Sequence, residues 1–205
     1  MKLSKKLHFV AATVFIVSVL VLFGTAKRYR VAASSMMPTL VKGDKVIVNL
    51  VAYDLKIPFT DCRILRWSDP KPGDIVLFSV PNRERGYIGF KRVVAVPGDM
   101  IELRDHKLSV NGRRAIYEQL DDRSLRQLPP DAYAQRHFEK EIIGEQSRAI
   151  MLTSASEMQS AFGPVAVPSD QYFLLGDNRD NSNDSRIFGP VTRTRILGRL
   201  LFRVP

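Results

Sequence analysis

Four Gly-Asp pairs divide most of this chain into short apolar segments, and this spacing restricts its fold more than any other feature. The pairs occupy positions 43–44, 73–74, 98–99 and 176–177. Apolar, β-branched runs follow or flank them, at residues 45–50, 75–80, 90–96, 100–103 and 108–110. Gly and Asp favour turns, and runs of this length are typical of strands. The pattern therefore predicts a mainly β protein, an antiparallel β-barrel or sandwich, and argues against a βαβ fold.

Residues of about 113–167 interrupt this pattern. They are more polar and show only weak periodicity, apart from a lone strand that we expect at residues 149–153. We therefore predict an inserted cap of β-rich or irregular structure between two halves of the core. The core would comprise residues of about 29–112 and 168–205, within a folded domain at 27–205.

The N-terminal segment, residues 7–26, is almost entirely apolar and follows a basic tail at residues 1–6. As a helix it would span about 30 Å, the hydrocarbon thickness of a bilayer. A cleavable signal peptide is the rival interpretation, because small residues near Ala26 resemble a cleavage site. The stretch exceeds the roughly 7–15 apolar residues of a signal peptide, which favours one retained transmembrane helix. Three basic residues flank each side, so charge alone leaves the orientation open.

Composition excludes several classes of function. The net charge is +10, but the basic residues are scattered, and neither an aromatic-interleaved basic patch nor zinc-finger spacing occurs, which disfavours nucleic-acid binding. The single cysteine, Cys62, excludes an intramolecular disulfide. Three dispersed histidines and the lack of HExxH and CxxC motifs disfavour a metal site. We expect no metal and no organic cofactor.

Residues 176–186, GDNRDNSNDSR, contain more short polar side chains in a row than an ordinary surface loop needs. Asn, Asp and Ser side chains bond to nearby backbone, and arginines among aspartates can lock a turn through charged hydrogen bonds. An apolar run at 172–175 leads into this loop, as a strand would. By itself the loop fits a structural turn and the wall of an active site equally well.

Residues 34–40, SSMMPTL, admit two interpretations. The plain one is a turn, because Pro38 fixes its own backbone and restricts Met37. The sharper one is a nucleophilic serine, which requires a base. No GxSxG motif and no histidine in a triad context is present, so a lysine with a pKa lowered by burial would have to serve. Lys91 is the candidate, although strand periodicity alone favours a lysine that faces solvent.

Four segments together resemble, in order and spacing, the conserved boxes of type I signal peptidases, the membrane-bound Ser/Lys-dyad endopeptidases of the S26 class. They are residues 34–40, 71–76, 91–99 and 176–186. The resemblance covers most of the chain outside the apolar N-terminus and the insertion. Self-cleaving repressor proteins share the Ser/Lys fold, but they lack a membrane anchor and this long polar loop.

The resemblance implies a role for several residues. Ser35 would be the nucleophile, with its backbone N–H donating to the oxyanion, and Lys91 would be the general base. Ser34 is the weaker candidate, because the family often has glycine there. Ser182 would hydrogen-bond the lysine nitrogen. The charged residues of the loop would brace it, with Asp184 and Arg186 as an ion pair supported by Asp177 and Arg179.

The resemblance also suggests a substrate pocket and one departure from the family. Four apolar residues are candidates to line the pocket, or else belong to the barrel core: Val31, Met36, Leu40 and Phe90. Many family members carry a serine two residues before the nucleophile, whose hydroxyl completes the oxyanion hole. This chain has Ala33 there, which predicts one side-chain donor fewer. The single predicted span also differs from the two spans of the commonest Gram-negative arrangement.

The implied protein is a serine endopeptidase of the bacterial inner membrane, with its catalytic domain on the extracytoplasmic side. It would remove signal peptides from exported preproteins after small-x-small junctions. Its partners would be those preproteins and the lipid bilayer, with the translocation machinery as a further candidate. A specialised peptidase for pilin or conjugative-transfer proteins is the alternative within the same chemistry. A non-catalytic, membrane-tethered binding protein is the alternative from another class.

Overall fold

The computed structural model describes residues 25–56, 63–81, 87–120, 136–153 and 161–204. The predicted anchor at residues 7–26 lies outside these ranges, except for its last two residues. Within the described ranges, no helix has the length and apolar character needed to cross a membrane.

The described residues form sixteen strands and one short α-helix. Strands β1 to β16 are Ala26–Arg30, Lys45–Asn49, Asp54–Lys56, Arg63–Arg66, Ile75–Ser79, Ile88–Ala95, Met100–Arg104, Lys107–Val110, Arg113–Arg114, Ile116–Gln119, Arg136–Ile143, Gln146–Thr153, Phe162–Ala166, Gln171–Leu175, Val191–Thr192 and Ile196–Val204. Helix α1 is Ser185–Phe188, between β14 and β15.

The largest sheet has seven strands in the order β1-β2-β16-β5-β6-β14-β15. Every pairing in it is antiparallel, and the C-terminal strand β16 is inserted between β2 and β5. The prediction of a mainly β, antiparallel fold is confirmed. The central strand β5 is buried on both faces, because Val76 and Phe78 enter one apolar cluster and Ile75 and Leu77 another.

Three of the four Gly-Asp pairs form turns of one design. Gly43, Gly73 and Gly98 all have positive φ angles, of 101°, 96° and 88°, which glycine adopts without strain. In each turn the aspartate side chain accepts a hydrogen bond from the backbone N–H three residues earlier, at 2.8 to 3.0 Å. These turns fix where the strands of the core begin.

The region of the predicted insertion is distributed over two smaller sheets. One is three-stranded, in the order β10-β11-β12, and the other is four-stranded, in the order β13-β7-β8-β9. The expected lone strand at 149–153 is therefore wrong, since it is part of β12, which pairs with β11 over its whole length. The partner was missed because β11 carries charged residues on both faces, including one that is completely buried, Glu141.

Candidate active site

Ser35 lies on the connection between β1 and β2, residues 31–44. The connection folds back on itself through hydrogen bonds from the Met37 N–H to the Ser34 carbonyl at 3.0 Å and from the Leu40 N–H to the Met36 carbonyl at 2.9 Å. Met36 and Leu40 are buried in the apolar cluster that also contains Leu77 of β5. This packing holds residues 34–40, which we call the serine turn, against the main sheet.

The structure brings Ser35 together with Lys91 of β6. The lysine Nζ donates to Ser35 Oγ over 2.5 Å, and the lysine is only 5% exposed. Burial lowers the pKa of Lys91 to about 8, although the nearby carboxylates of Asp184 and Asp177 oppose the shift. About a tenth of the amine is therefore neutral at pH 7, the state in which it can accept a proton from the hydroxyl.

The polar loop after β14 holds the backbone of the serine turn. The Asn178 N–H donates to the Ser35 carbonyl at 3.1 Å, and its side-chain amide donates to the Ser34 carbonyl at 3.2 Å. Asn181 donates to the Ser34 hydroxyl at 3.2 Å. The Ser35 N–H itself donates to no oxygen within the described ranges, so it is available to a bound group.

Ser182 does not form the hydrogen bond to Lys91 that the resemblance implies. Its side chain is buried, with only 6% of the residue exposed. Lys91 directs its amine at Ser35 instead. Ser182 packs directly beneath Gly176, so the structure places it beside the dyad without joining it.

Asp184 and Arg186 form a buried ion pair. The guanidinium contacts both carboxylate oxygens, at 2.9 and 2.8 Å. Asp184 also accepts the Gly176 N–H at 3.0 Å, which joins the end of the loop to its beginning. Burial alone would raise the pKa of Asp184, but its hydrogen bonds to Arg186 outweigh burial and lower it.

Asp177 and Arg179 each have a partner that the sequence did not indicate. Asp177 accepts two hydrogen bonds from Arg92, at 2.9 and 2.7 Å, and one from the Thr39 hydroxyl at 2.6 Å. Arg179 binds both carboxylate oxygens of Glu141 on β11, each at 2.7 Å. Asp177 thus ties the loop to the main sheet, and Arg179 ties it to the three-stranded sheet.

A groove of about 390 Å³ opens beside the dyad. Val31, Met36 and Phe90 line it, together with Ser35 and Lys91. Leu40 does not line it and is 2% exposed within the core. That prediction is wrong because the turn at 36–40 points Leu40 inward, so the other interpretation, barrel core, holds for this residue.

Comparison with known proteins identifies the family of this chain. The family described as signal peptidase, peptidase S26, matches residues 4–204. This chain belongs to that family. The signal peptidase I of Pseudomonas fluorescens is 33% identical over 84% of the chain and 58% of the relative. That of Pseudomonas aeruginosa PAO1 is 32% identical over 90% of the chain and 63% of the relative.

The chain thus spans about three fifths of the length of these two relatives. Among solved structures, a signal peptidase I from Enterococcus faecalis V583 is 27% identical. The match covers 65% of this chain and 98% of that one, with a TM-score of 0.38.

The sequence left several residues of the candidate site without a role. Asn178 and Asn181 belong to the loop that the sequence singled out, and Arg92 follows Lys91, so proximity to a recognised segment was a usable signal. Glu141 offered no such signal, because it lies in a stretch whose alternating charges are typical of an exposed strand. Only the tertiary contact with Arg179 identifies it.

Proposed function

We propose that this protein is a membrane-anchored serine endopeptidase that removes signal peptides from exported preproteins, with Ser35 as nucleophile and Lys91 as general base. The observation that carries the proposal is the 2.5 Å contact between Lys91 Nζ and Ser35 Oγ, made by a buried lysine. A lysine exposed to solvent would be protonated at neutral pH and could not act as a base. The S26 relatives, which are named signal peptidase I, support the substrate class.

Acylation follows from this arrangement. Neutral Lys91 takes the hydroxyl proton as Ser35 Oγ bonds to the carbonyl carbon of the scissile peptide. The Ser35 N–H, which is free of other acceptors in the described part of the chain, donates to the oxyanion. The lysine then returns its proton to the departing amine, the C–N bond breaks, and the serine keeps the acyl group as an ester.

Deacylation reverses these roles with water. Lys91, neutral again, takes a proton from a water molecule whose oxygen attacks the ester carbonyl. The tetrahedral intermediate collapses, the serine oxygen leaves and recovers the proton from the lysine, and the carboxylic acid product departs and releases its proton to water.

The groove supports an extended substrate. On the side away from β5, residues 88–90 of β6 have no paired strand in the described ranges, because β14 pairs only with Arg92, Val93 and Ala95. An extended peptide can therefore add to this edge and place alternate side chains in the groove. Val31, Met36 and Phe90 provide apolar walls that exclude charged side chains. We assign to them the selection of small residues before the cleavage site.

We further propose that residues 7–26 form a membrane span and that the catalytic domain lies outside the cytoplasm, at the bacterial inner membrane. Lys27 and Arg28 of β1 are exposed, where they can contact anionic headgroups. Ser35 follows Ala26 by only nine residues. The nucleophile would then lie near the bilayer surface, where the membrane segment of a preprotein ends.

The deciding experiment is cleavage of a purified preprotein with an Ala-x-Ala junction by the full chain in detergent. Wild type should cut at the junction, and Ser35→Ala and Lys91→Ala should be inactive. Lys45→Ala, which removes an exposed lysine on β2, is the control and should cut like wild type. Activity in either dyad variant would refute the assignment of that residue.

A second assay separates the general enzyme from the specialised alternative. Expression of wild type should restore growth to cells depleted of their own signal peptidase, and Ser35→Ala should not. A protein that cuts the junction in vitro but fails this complementation would be a specialist. A wild type inert in both assays would contradict the proposed reaction.

A further inference from the structure

The three-stranded sheet β10-β11-β12 is hydrogen-bonded to the polar loop of the active site. The Met151 N–H of β12 donates to the Asp177 carbonyl at 2.8 Å, and the Arg179 N–H donates back to the Met151 carbonyl at 3.0 Å. The Thr153 N–H donates to the Asp180 carboxylate at 2.6 Å. The loop thus extends the edge of this sheet, which supplies no group to the groove itself.

Glu141 of β11 is the side chain that fastens the loop to this sheet. It is completely buried and binds the Arg179 guanidinium through both oxygens. It also accepts hydrogen bonds from Arg148 on the adjacent strand, at 2.6 Å, and from the Tyr117 hydroxyl on β10, at 2.7 Å. One carboxylate therefore joins all three strands of the sheet to the loop.

Arg179 carries this connection to the dyad. Its Nε donates to the Gly176 carbonyl at 3.2 Å, and its own carbonyl accepts a hydrogen bond from Arg186 at 2.6 Å. Gly176 in turn lies against the Ser35 carbonyl, and Arg186 holds Asp184. A displacement of Arg179 would therefore shift Gly176, which lies against Ser35, and Arg186, which binds Asp184.

The charge balance makes Glu141 hard to replace. Burial alone would raise its pKa, but Arg179 and Arg148 outweigh burial and lower the pKa to about 2. The carboxylate is therefore charged wherever the enzyme works. Removing the carboxylate would leave the guanidinium groups of Arg179 and Arg148 buried with too few acceptors. Because Arg148 is held within β12, we expect Arg179 and its loop to move.

We propose that Glu141 is a positioning residue for the Ser35/Lys91 reaction, and that the sheet β10-β11-β12 is the rigid support that sets the catalytic loop. The inference rests on the proposed peptidase function. Catalytic groups require a fixed geometry, and small displacements that originate far from the chemistry are costly. The predicted insertion would then be part of the catalytic apparatus without touching substrate.

The test compares Glu141→Gln with Glu139→Gln in the full chain in detergent. Glu139 lies two residues earlier on β11 and pairs with Lys107 at the surface, so it matches the charge change outside the loop contact. For Glu141→Gln we expect kcat on a preprotein peptide to fall about tenfold to a hundredfold with KM nearly unchanged. Glu139→Gln should keep the wild-type kcat.

Amide hydrogen exchange gives a readout independent of activity. In Glu141→Gln, exchange should accelerate at Asn178 and Arg179, while the amides of β5 and β6 keep their wild-type protection. A folded Glu141→Gln with wild-type kcat would overturn the inference, as would a loss of protection throughout the main sheet, which would indicate general destabilisation. An inert wild type would instead contradict the proposed function, and the exchange pattern would still test the support of the loop.

A milder variant decides the question if Glu141→Gln fails to fold. Tyr117→Phe removes one hydroxyl, which donates to Glu141 and accepts the Leu108 N–H, and keeps the ring and every charge. We expect a folded protein with a kcat lowered about threefold or more and an unchanged KM. A Tyr117→Phe protein with wild-type kcat and wild-type exchange in the loop would overturn the inference.

Discussion

Gly176 leaves no room for a side chain beside Ser182. A Cβ added at Gly176 would overlap the Ser182 hydroxyl and would lie 2.5 Å from the Ser35 carbonyl oxygen. Real Cβ atoms do not approach backbone oxygen this closely, so the residue at 176 must lack one. The corner between β14 and the polar loop is thus packed directly on the backbone of the proposed nucleophile.

Gly176→Ala should therefore inactivate the enzyme by displacing Ser35. We expect kcat on a preprotein peptide to fall at least about a hundredfold, because the serine and the lysine would lose their alignment. Gly198→Ala is the control, since its Cβ would also lie 2.5 Å from a backbone oxygen, that of Asn49, away from the groove. Gly198→Ala should lower the melting temperature and keep kcat. Equal kcat losses in both variants would show that the effect is not specific to the site.

The Gly-Asp pairs show how far the sequence could predict this protein. Local chemistry determines a turn, so the pairs at 43–44, 73–74 and 98–99 and the strands beside them were predictable. The pair at 176–177 has the same letters and a different structure, because its partners come from elsewhere. Asp177 binds Arg92 of β6, and Gly176 packs on Ser35. Those contacts depend on the fold, which no local pattern encodes.

The site divides along the same line. Ser35 and Lys91 were singled out because their segments resemble those of the S26 family, whereas strand periodicity alone favoured a solvent-facing lysine. Glu141 was missed because a buried carboxylate and an exposed one look alike in sequence. Its burial is tolerated only because Arg179 and Arg148, distant along the chain or on another strand, surround it.

The activity should rise with pH through the titration of Lys91. Burial lowers the pKa of Lys91 to about 8, and only the neutral amine accepts the serine proton. Below about pH 8, kcat/KM should therefore increase about tenfold per pH unit, and above it should level off. Initial rates on a preprotein peptide in detergent measure this, with preincubation at each pH to exclude inactivation. A profile that is flat from about pH 6 to 9 would contradict Lys91 as the base.

The same burial should cost stability at neutral pH. The pKa of Lys91 is about 8 in the folded protein, compared with 10.5 for the lysine of an unfolded chain. Between these values the unfolded chain binds more protons at this site, so raising the pH stabilises the fold. Lys91→Met lacks this contribution. The free energy of unfolding of wild type should therefore gain about 3 kcal/mol on that of Lys91→Met between about pH 7 and pH 10.5.

Urea unfolding of both proteins across this pH range measures the difference and cancels the titration of groups that they share, such as the tyrosines. The gain should be confined to pH values above about 7, since the lysine is fully protonated in both states well below its folded pKa. A difference that is constant with pH would mean that Lys91 keeps an ordinary pKa in the fold.

Substitution of Ala33 by serine should increase the rate of cleavage. Ala33 is exposed, lines the groove, and lies two residues before Ser35, the position where the resemblance led us to expect a serine hydroxyl. Ala33→Ser would add a hydroxyl donor next to the Ser35 N–H. One donor to an oxyanion is worth about 10² to 10³ in rate, so kcat should rise about tenfold or more with KM little changed. Ala32→Ser, which adds the same hydroxyl one residue away in the same groove, should not accelerate cleavage. Equal rates for Ala33→Ser and wild type would mean that another group of this chain already completes the oxyanion hole.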